Sequence, residues 1–147
     1  MRSSARTRPL VVEQPRPRRG LLDTSVVIDF ERLDPAALPL EIAVSTLTIA
    51  ELAAGPHATA DLQERARRQD RLQRVEAVFD PVPFDAEAAR AYGRVYAATI
   101  AVGRKARGPR AVDLLIAATA SAAGLPLYTR NGNDFDGLQD VVDIVVV

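Results

Sequence analysis

The chain predicts an α/β three-layer sandwich on a mainly parallel sheet, and three observations carry that expectation. Short apolar runs recur at Gly20–Leu22, Glu41–Ser45, Leu125–Thr129 and Val141–Val147. Stretches with helical spacing separate them, so strands and helices alternate as they do when helices cover both faces of a parallel sheet. The run at Gly20 ends abruptly at Asp23-Thr24-Ser25, as a buried strand does when its last residue delivers a side chain to the mouth of the sheet.

At 147 residues the chain is one domain of ordinary size, long enough for a real core. Residues 1–19 hold three prolines and six arginines against a single acid, Glu13, with neither helical nor strand period. They read as a basic flexible arm, and residues 20–147 as the folded domain. Such an arm can touch RNA or another acidic partner, although an extension without specific contacts is the simpler reading. Net charge is zero over the whole chain, so setting the arm aside leaves the domain at −5 by count. That balance does not suit a protein that holds nucleic acid by charge alone. Carboxylates that hold metal ions would produce it.

Cysteine is absent, which excludes disulfides, thiolate zinc sites and cysteine nucleophiles and fits a reducing cytoplasm. The one histidine, His57, stands beside Gly55-Pro56 and reads as a surface turn residue rather than a catalyst. No apolar run approaches the ~18 residues that span a bilayer, so no membrane association is expected.

Strand one is Gly20–Leu22. After Asp23, the hydroxyl of Thr24 or Ser25 is expected to cap a short helix, which Pro35 and Pro39 break. Glu41–Ser45 is the second strand. Thr46 or Thr48 then opens a helix carrying Glu51 that stops at Gly55-Pro56. From Ala58 to Phe79 the positions Leu62, Ala66, Leu72, Val75 and Phe79 keep helical spacing, with arginines and acids alternating on a solvated face. Asp80–Phe84 is a short extended piece, an edge strand given its prolines. Asp85 caps a helix expected to turn Ala89, Tyr92, Val95, Tyr96 and Ile100 inward, both tyrosines as core aromatics. A basic loop (Arg104, Lys105, Arg107, Arg110) precedes an alanine-rich helix, Ala111–Ala123, that ends at Gly124. Leu125–Thr129, a polar turn from Arg130 to Gly137, and Val141–Val147 complete the domain.

Four acids sit at junctions that face one edge of such a sheet. Asp23 closes strand one, Glu51 lies in the helix after strand two, Asp113 lies in the first turn of the alanine-rich helix, and Asp134 lies just beyond the strand ending at Thr129. Singly, each has an ordinary role: a cap, an exposed helix acid, a partner for a helix dipole, a turn residue. Jointly, they point to a site. Carboxylates ~5 Å apart repel by about 3 kcal/mol per pair at an effective dielectric near 20, a cost that protons or cations must relieve. Oxygen ligands of this kind select Mg²⁺ or Mn²⁺, which can polarise a phosphodiester and activate water. Thr24 or Ser25 would orient a water or a phosphate oxygen, and Asn131 a carboxylate or a water. Arg107 and Arg110, with Arg104 and Lys105, would grip phosphates.

Four segments resemble the successive motifs of PIN-domain nucleases, most of all the VapC-type toxins of bacterial and archaeal toxin–antitoxin operons. They are Leu22-Asp23-Thr24-Ser25-Val26; Thr48-Ile49-Ala50-Glu51-Leu52 with Gly55; Val112-Asp113 through Ala120; and Thr129-Arg130-Asn131 followed by Asp134-Phe135. Each is modest alone, but the ordered set, covering residues 20–147, is specific. The resemblance implies a Mg²⁺- or Mn²⁺-dependent endoribonuclease that cuts structured RNA such as transfer or ribosomal RNA. It also implies a homodimer held inactive by a cognate VapB-type antitoxin. By position, Asp23, Glu51, Asp113 and Asp134 match the family's metal-binding acids, with Asp136 the alternative for the fourth because that loop varies among members. Two features depart from the family pattern: the long basic arm and the strongly basic loop from Arg104 to Arg110. The contrasting function is a non-catalytic RNA-binding or regulatory module on the same fold, whose usual sign is loss of an acid; none is lost here. A haloacid-dehalogenase-type phosphatase is disfavoured by Ser25, which stands where a second aspartate is needed. A receiver domain would need a lysine near the last strands, and Lys105 is the only lysine.

Overall fold

A computed structural model describes residues 18–147, so most of the basic arm, residues 1–17, lies outside the described residues. The arm's last two residues are part of the folded unit. Arg19 opens the first strand, and the carbonyl of Arg18 accepts from the Glu41 amide at 2.7 Å.

In chain order the elements are β1 (Arg19–Leu22), α1 (Thr24–Ile28), β2 (Glu41–Val44), α2 (Thr46–Ala54), α3 (Leu62–Val78), α4 (Ala86–Ala101), α5 (Ala111–Ala123), β3 (Leu127–Thr129) and β4 (Ile144–Val146). The strands form one parallel sheet in the order β2-β1-β3-β4. Alternate residues of a strand face opposite ways, and β1 uses both. Leu21 joins Ala43 and Leu127 on the face covered by α4 and α5. Leu22 joins Val44 and Tyr128 on the face where Val26 and Val27 of α1, Leu52 of α2 and Val75 of α3 pack. A sheet buried on both sides by helices is the expected three-layer sandwich.

The register positions the site. Leu22 lies opposite Val44 in β2 and Tyr128 in β3. The next residue of each strand, Ser45, Asp23 and Thr129, therefore falls in one row at the carboxyl edge. The Asp23 amide continues the ladder by donating to the Tyr128 carbonyl at 2.8 Å. Close contact between β1 and β3 also requires Gly20, because a β-carbon there would collide with the Tyr128 ring.

Several local expectations are corrected. The residue capping α1 is Asp23, and neither Thr24 nor Ser25 makes a side-chain cap; their hydroxyls are taken by carboxylates. Ser45 caps α2 by accepting from the Thr48 amide at 3.1 Å. In α3 only the second half packs inward: Val75 is buried and Leu72 and Phe79 are half-buried, while Ala66 is exposed and Leu62 is 75% exposed. The first turns of α3 are held by arginines instead, with Arg65 donating to the carbonyls of Pro56 and Thr59, and Arg68 to that of Gly55.

Helix α4 begins at Asp85 as expected, whose carboxylate accepts from the Ala88 amide at 2.9 Å. Its buried stripe is rotated, however, to Ala88, Ala91, Val95 and Thr99, leaving Ala89, Tyr96 and Ile100 exposed. Small residues let α4 approach the alanine surface of α5 closely, so Tyr96 is displaced to its flank, while Tyr92 stays half-buried against the core as expected. There Tyr92 and Tyr96 meet edge to face at 6.1 Å. Asp80–Phe84 contributes one bridge, Val82 beside Ser45, rather than a strand. The last two strands are shorter than expected. Val141 and Val142 fold back onto Leu138 through amide-to-carbonyl bonds instead of extending β4.

Candidate active site

Asp23 is the best-held of the four acids. It is 3% exposed, and its Oδ2 accepts from Ser25 Oγ at 2.9 Å and from Thr129 Oγ1 at 2.8 Å. Its Oδ1 is buried and has no hydrogen-bond partner among the described residues. Burial pushes its carboxyl above the usual range. Hydrogen bonds from Thr129, Ser25 and the Thr24 backbone pull it down, and the charge of Asp134 pushes it up again.

Glu51 lies one turn beyond Thr48 on α2. Thr24 Oγ1 donates to Glu51 Oε1 at 2.7 Å and lies 3.0 Å from Thr48 Oγ1. A buried hydroxyl cluster of Thr24, Ser45 and Thr48 thus holds this acid from behind. Asp113 is half-buried in the first turn of α5. Its carboxyl is raised from 3.8 to about 7, first by burial and then by the charges of Asp23, Asp134 and Glu51, with Arg110 opposing. Asp134 is placed by a 3-10 turn, Gly132–Phe135, anchored by the fully buried Phe135 ring. Its amide donates to the Asn131 carbonyl at 3.0 Å.

The structure therefore brings Asp23, Asp134 and Glu51 within electrostatic reach of Asp113, and Asp134 within reach of Asp23. Asp136 points elsewhere: Arg104 Nη2 pairs with its Oδ2 at 2.7 Å, and Arg104 Nη1 donates to the Asn133 carbonyl. Arg104 is thus a tie across the turn rather than a free phosphate ligand. Lys105 and Arg107 are exposed on the loop, and Arg110 is half-buried with an Nη1 that has no hydrogen-bond partner among the described residues. Asn131 is exposed, and its amide donates to Thr129 Oγ1 at 3.0 Å. Ser25 Oγ also accepts from the Arg130 amide at 3.2 Å, so Thr24 and Ser25 both position acids in this structure. His57 is exposed, as expected.

A divalent cation suits this donor set: oxygen ligands only, one buried carboxylate oxygen without a partner, and a second acid whose ionisation the other three oppose. Among the described residues no three of these groups already converge as a metal cluster, so an ion would have to draw them together. Thr129 and Thr48 stand in the motif segments, but the sequence gives neither a role beside the acids. Thr129 stands 106 positions from Asp23, and only the strand order makes them neighbours; its signal was a hydroxyl at the end of an apolar run.

The PIN domain family pattern matches residues 20–140, a span that contains all four acids and the sheet edge bearing them. This chain belongs to the PIN-domain family. Its VapC-type character is carried by ribonuclease VapC5 of Mycobacterium tuberculosis, 36% identical over 134 residues that cover 89% of this chain and 96% of the relative. The crystal structure of VapBC-5 from that organism, a member of the VapBC family of toxin–antitoxin systems, superposes with a TM-score of 0.75 at 35% identity, covering 89% of this chain and all of the other. FitAcB from Neisseria gonorrhoeae gives 0.67 at 26% identity, over 84% of this chain and 94% of that one. The PIN fold accounts for the shared edge: successive motifs far apart in sequence are brought together by parallel strands. Among the described residues of this PIN domain, no helix is long and apolar enough to cross a membrane.

Proposed function

We propose that this PIN domain is a Mg²⁺- or Mn²⁺-dependent endoribonuclease toxin of the cytoplasm, cutting structured RNA such as transfer or ribosomal RNA. The observation that carries the reading is that the charges of Asp23, Asp134 and Glu51 all bear on Asp113, beside an Asp23 whose buried Oδ1 has no hydrogen-bond partner among the described residues. A cation held by these four would polarise the phosphodiester and activate the attacking water. Ser25 and Thr129 keep Asp23 aimed, and Thr24 does the same for Glu51. Asp113, its carboxyl raised to about 7, would give up its proton once a bound cation offset the charges of its neighbours. In this reading Arg107 and Arg110, on the loop before α5, would meet RNA phosphates.

The partner in this reading is a VapB-type antitoxin, supported by the VapBC relative. A homodimer is supported by the exposed apolar side chains Tyr96, Ile100 and Val102 along and just beyond α4. The test is Asp23→Asn. The purified variant keeps its circular dichroism and melting behaviour but loses cleavage of labelled RNA in Mg²⁺ or Mn²⁺. Cleavage by Asp23→Asn above an EDTA-treated control would overturn the assignment.

A further inference from the structure

Helix α3 carries five arginines, and four have work to do. Arg65 and Arg68 hold backbone carbonyls, Arg67 and Arg68 pair with Glu64, and Arg74 pairs with Glu31 and Asp70. Arg71 is different. It is half-buried, and among the described residues no hydrogen bond or ion pair engages its guanidinium. It lines the same cleft of about 310 Å³ as Thr24 and Glu51, together with Glu64 and Arg68. Arg68 pairs with Glu64 at 3.1 Å, so among the described residues Arg71 is the arginine of this cleft that no ion pair engages. Arg71 also lines an adjoining groove of about 480 Å³, in which arginines and the acids Asp29, Glu31, Glu64 and Asp70 balance one another.

We infer that Arg71 is a phosphate anchor, binding the RNA backbone beside the scissile position. This rests on the ribonuclease reading above. A half-buried arginine without a carboxylate partner keeps its planar fork of donors available, and that fork matches two phosphate oxygens at once. Such a contact positions RNA without reading its bases.

The test measures binding without cleavage. A fluorescein-labelled stem-loop RNA is titrated into full-length Asp23→Asn and into the same protein carrying Arg71→Ala, Arg71→Lys or Arg90→Ala, over a range of salt. Arg71→Ala weakens binding about tenfold and makes the slope of log affinity against log salt shallower by about 0.7–0.9. Arg71→Lys restores the slope but not the full affinity. Arg90→Ala, which removes an equal charge paired with Glu87 on α4, leaves both unchanged. Equal affinity and slope for Arg71→Ala and its parent overturn the anchor alone. Failure of the Asp23→Asn parent to bind RNA overturns the ribonuclease reading and the anchor with it. Poly-glutamate competing as well as RNA, with Arg71→Ala weakening both equally, assigns the residue to a carboxylate-bearing protein partner and overturns the RNA role.

Discussion

Replacing Asp113 by asparagine should make the metal-free protein more stable. The wild-type carboxyl is raised from 3.8 to about 7, by burial first and by Asp23, Asp134 and Glu51 next. Each pH unit of that displacement is worth about 1.4 kcal/mol, and full ionisation would cost roughly 4 kcal/mol for a dry group. Asp113 is only half-buried, and solvent screening brings the cost to roughly 1–2 kcal/mol. The sign follows from proton counts. Between the unfolded value and about 7 the folded chain holds more protons than the unfolded one, so stability falls as pH rises through that window. The penalty is absent below the unfolded value and complete above about 7. Melting in EDTA at pH 8 should therefore place Asp113→Asn roughly 3–6 °C above wild type, with a smaller gap at pH 5. A variant that melts below wild type, or a gap that ignores pH, would refute the claim that the acids crowd Asp113.

Further outcomes follow from the same geometry. Asp134→Asn should reduce RNA cleavage by ~100-fold or more, whereas Asp136→Asn, which touches only the Arg104 tie, should stay within a few-fold of wild type; the reverse order in a gel assay would exchange the two roles. Thr129→Val removes one of the two side-chain donors to Asp23 and raises its carboxyl further. The acid limb of the pH–kcat profile should move to higher pH and kcat should fall by about tenfold; an unmoved limb would count against the bond. Gly20→Ala places a β-carbon 2.8 Å from Tyr128 Cδ2, an overpacking that should cost about 1–3 kcal/mol and show as a lower Tm in thermal melts.

Much of the architecture was legible because the signals were local. The four acids could be named because each ends or begins a segment whose type is set by its own periodicity. The α4 stripe could not be read that way. Tyr96 and Ile100 look inward by hydrophobicity, but the alanine face of α5 admits only small partners, and that preference belongs to the pair of helices. Leu62 is likewise apolar but stands on turns of α3 that arginines, not the core, hold down. The roles of Thr129 and Arg104 depend on contacts between distant segments, through strand order in one case and a loop-to-turn tie in the other. The sequence put Asp134 first and kept Asp136 as the alternative; the pairing of Asp136 with Arg104 was not legible there.

All the side chains that bond Asp23 and Glu51 are alcohols. An ammonium or guanidinium in the same places would hold those acids equally still while cancelling their charge. Alcohols separate the two effects, steering the oxygens and leaving the field intact. The pull on an approaching cation is therefore set by the acids themselves, and their aim is insensitive to ionic strength because uncharged donors fix it.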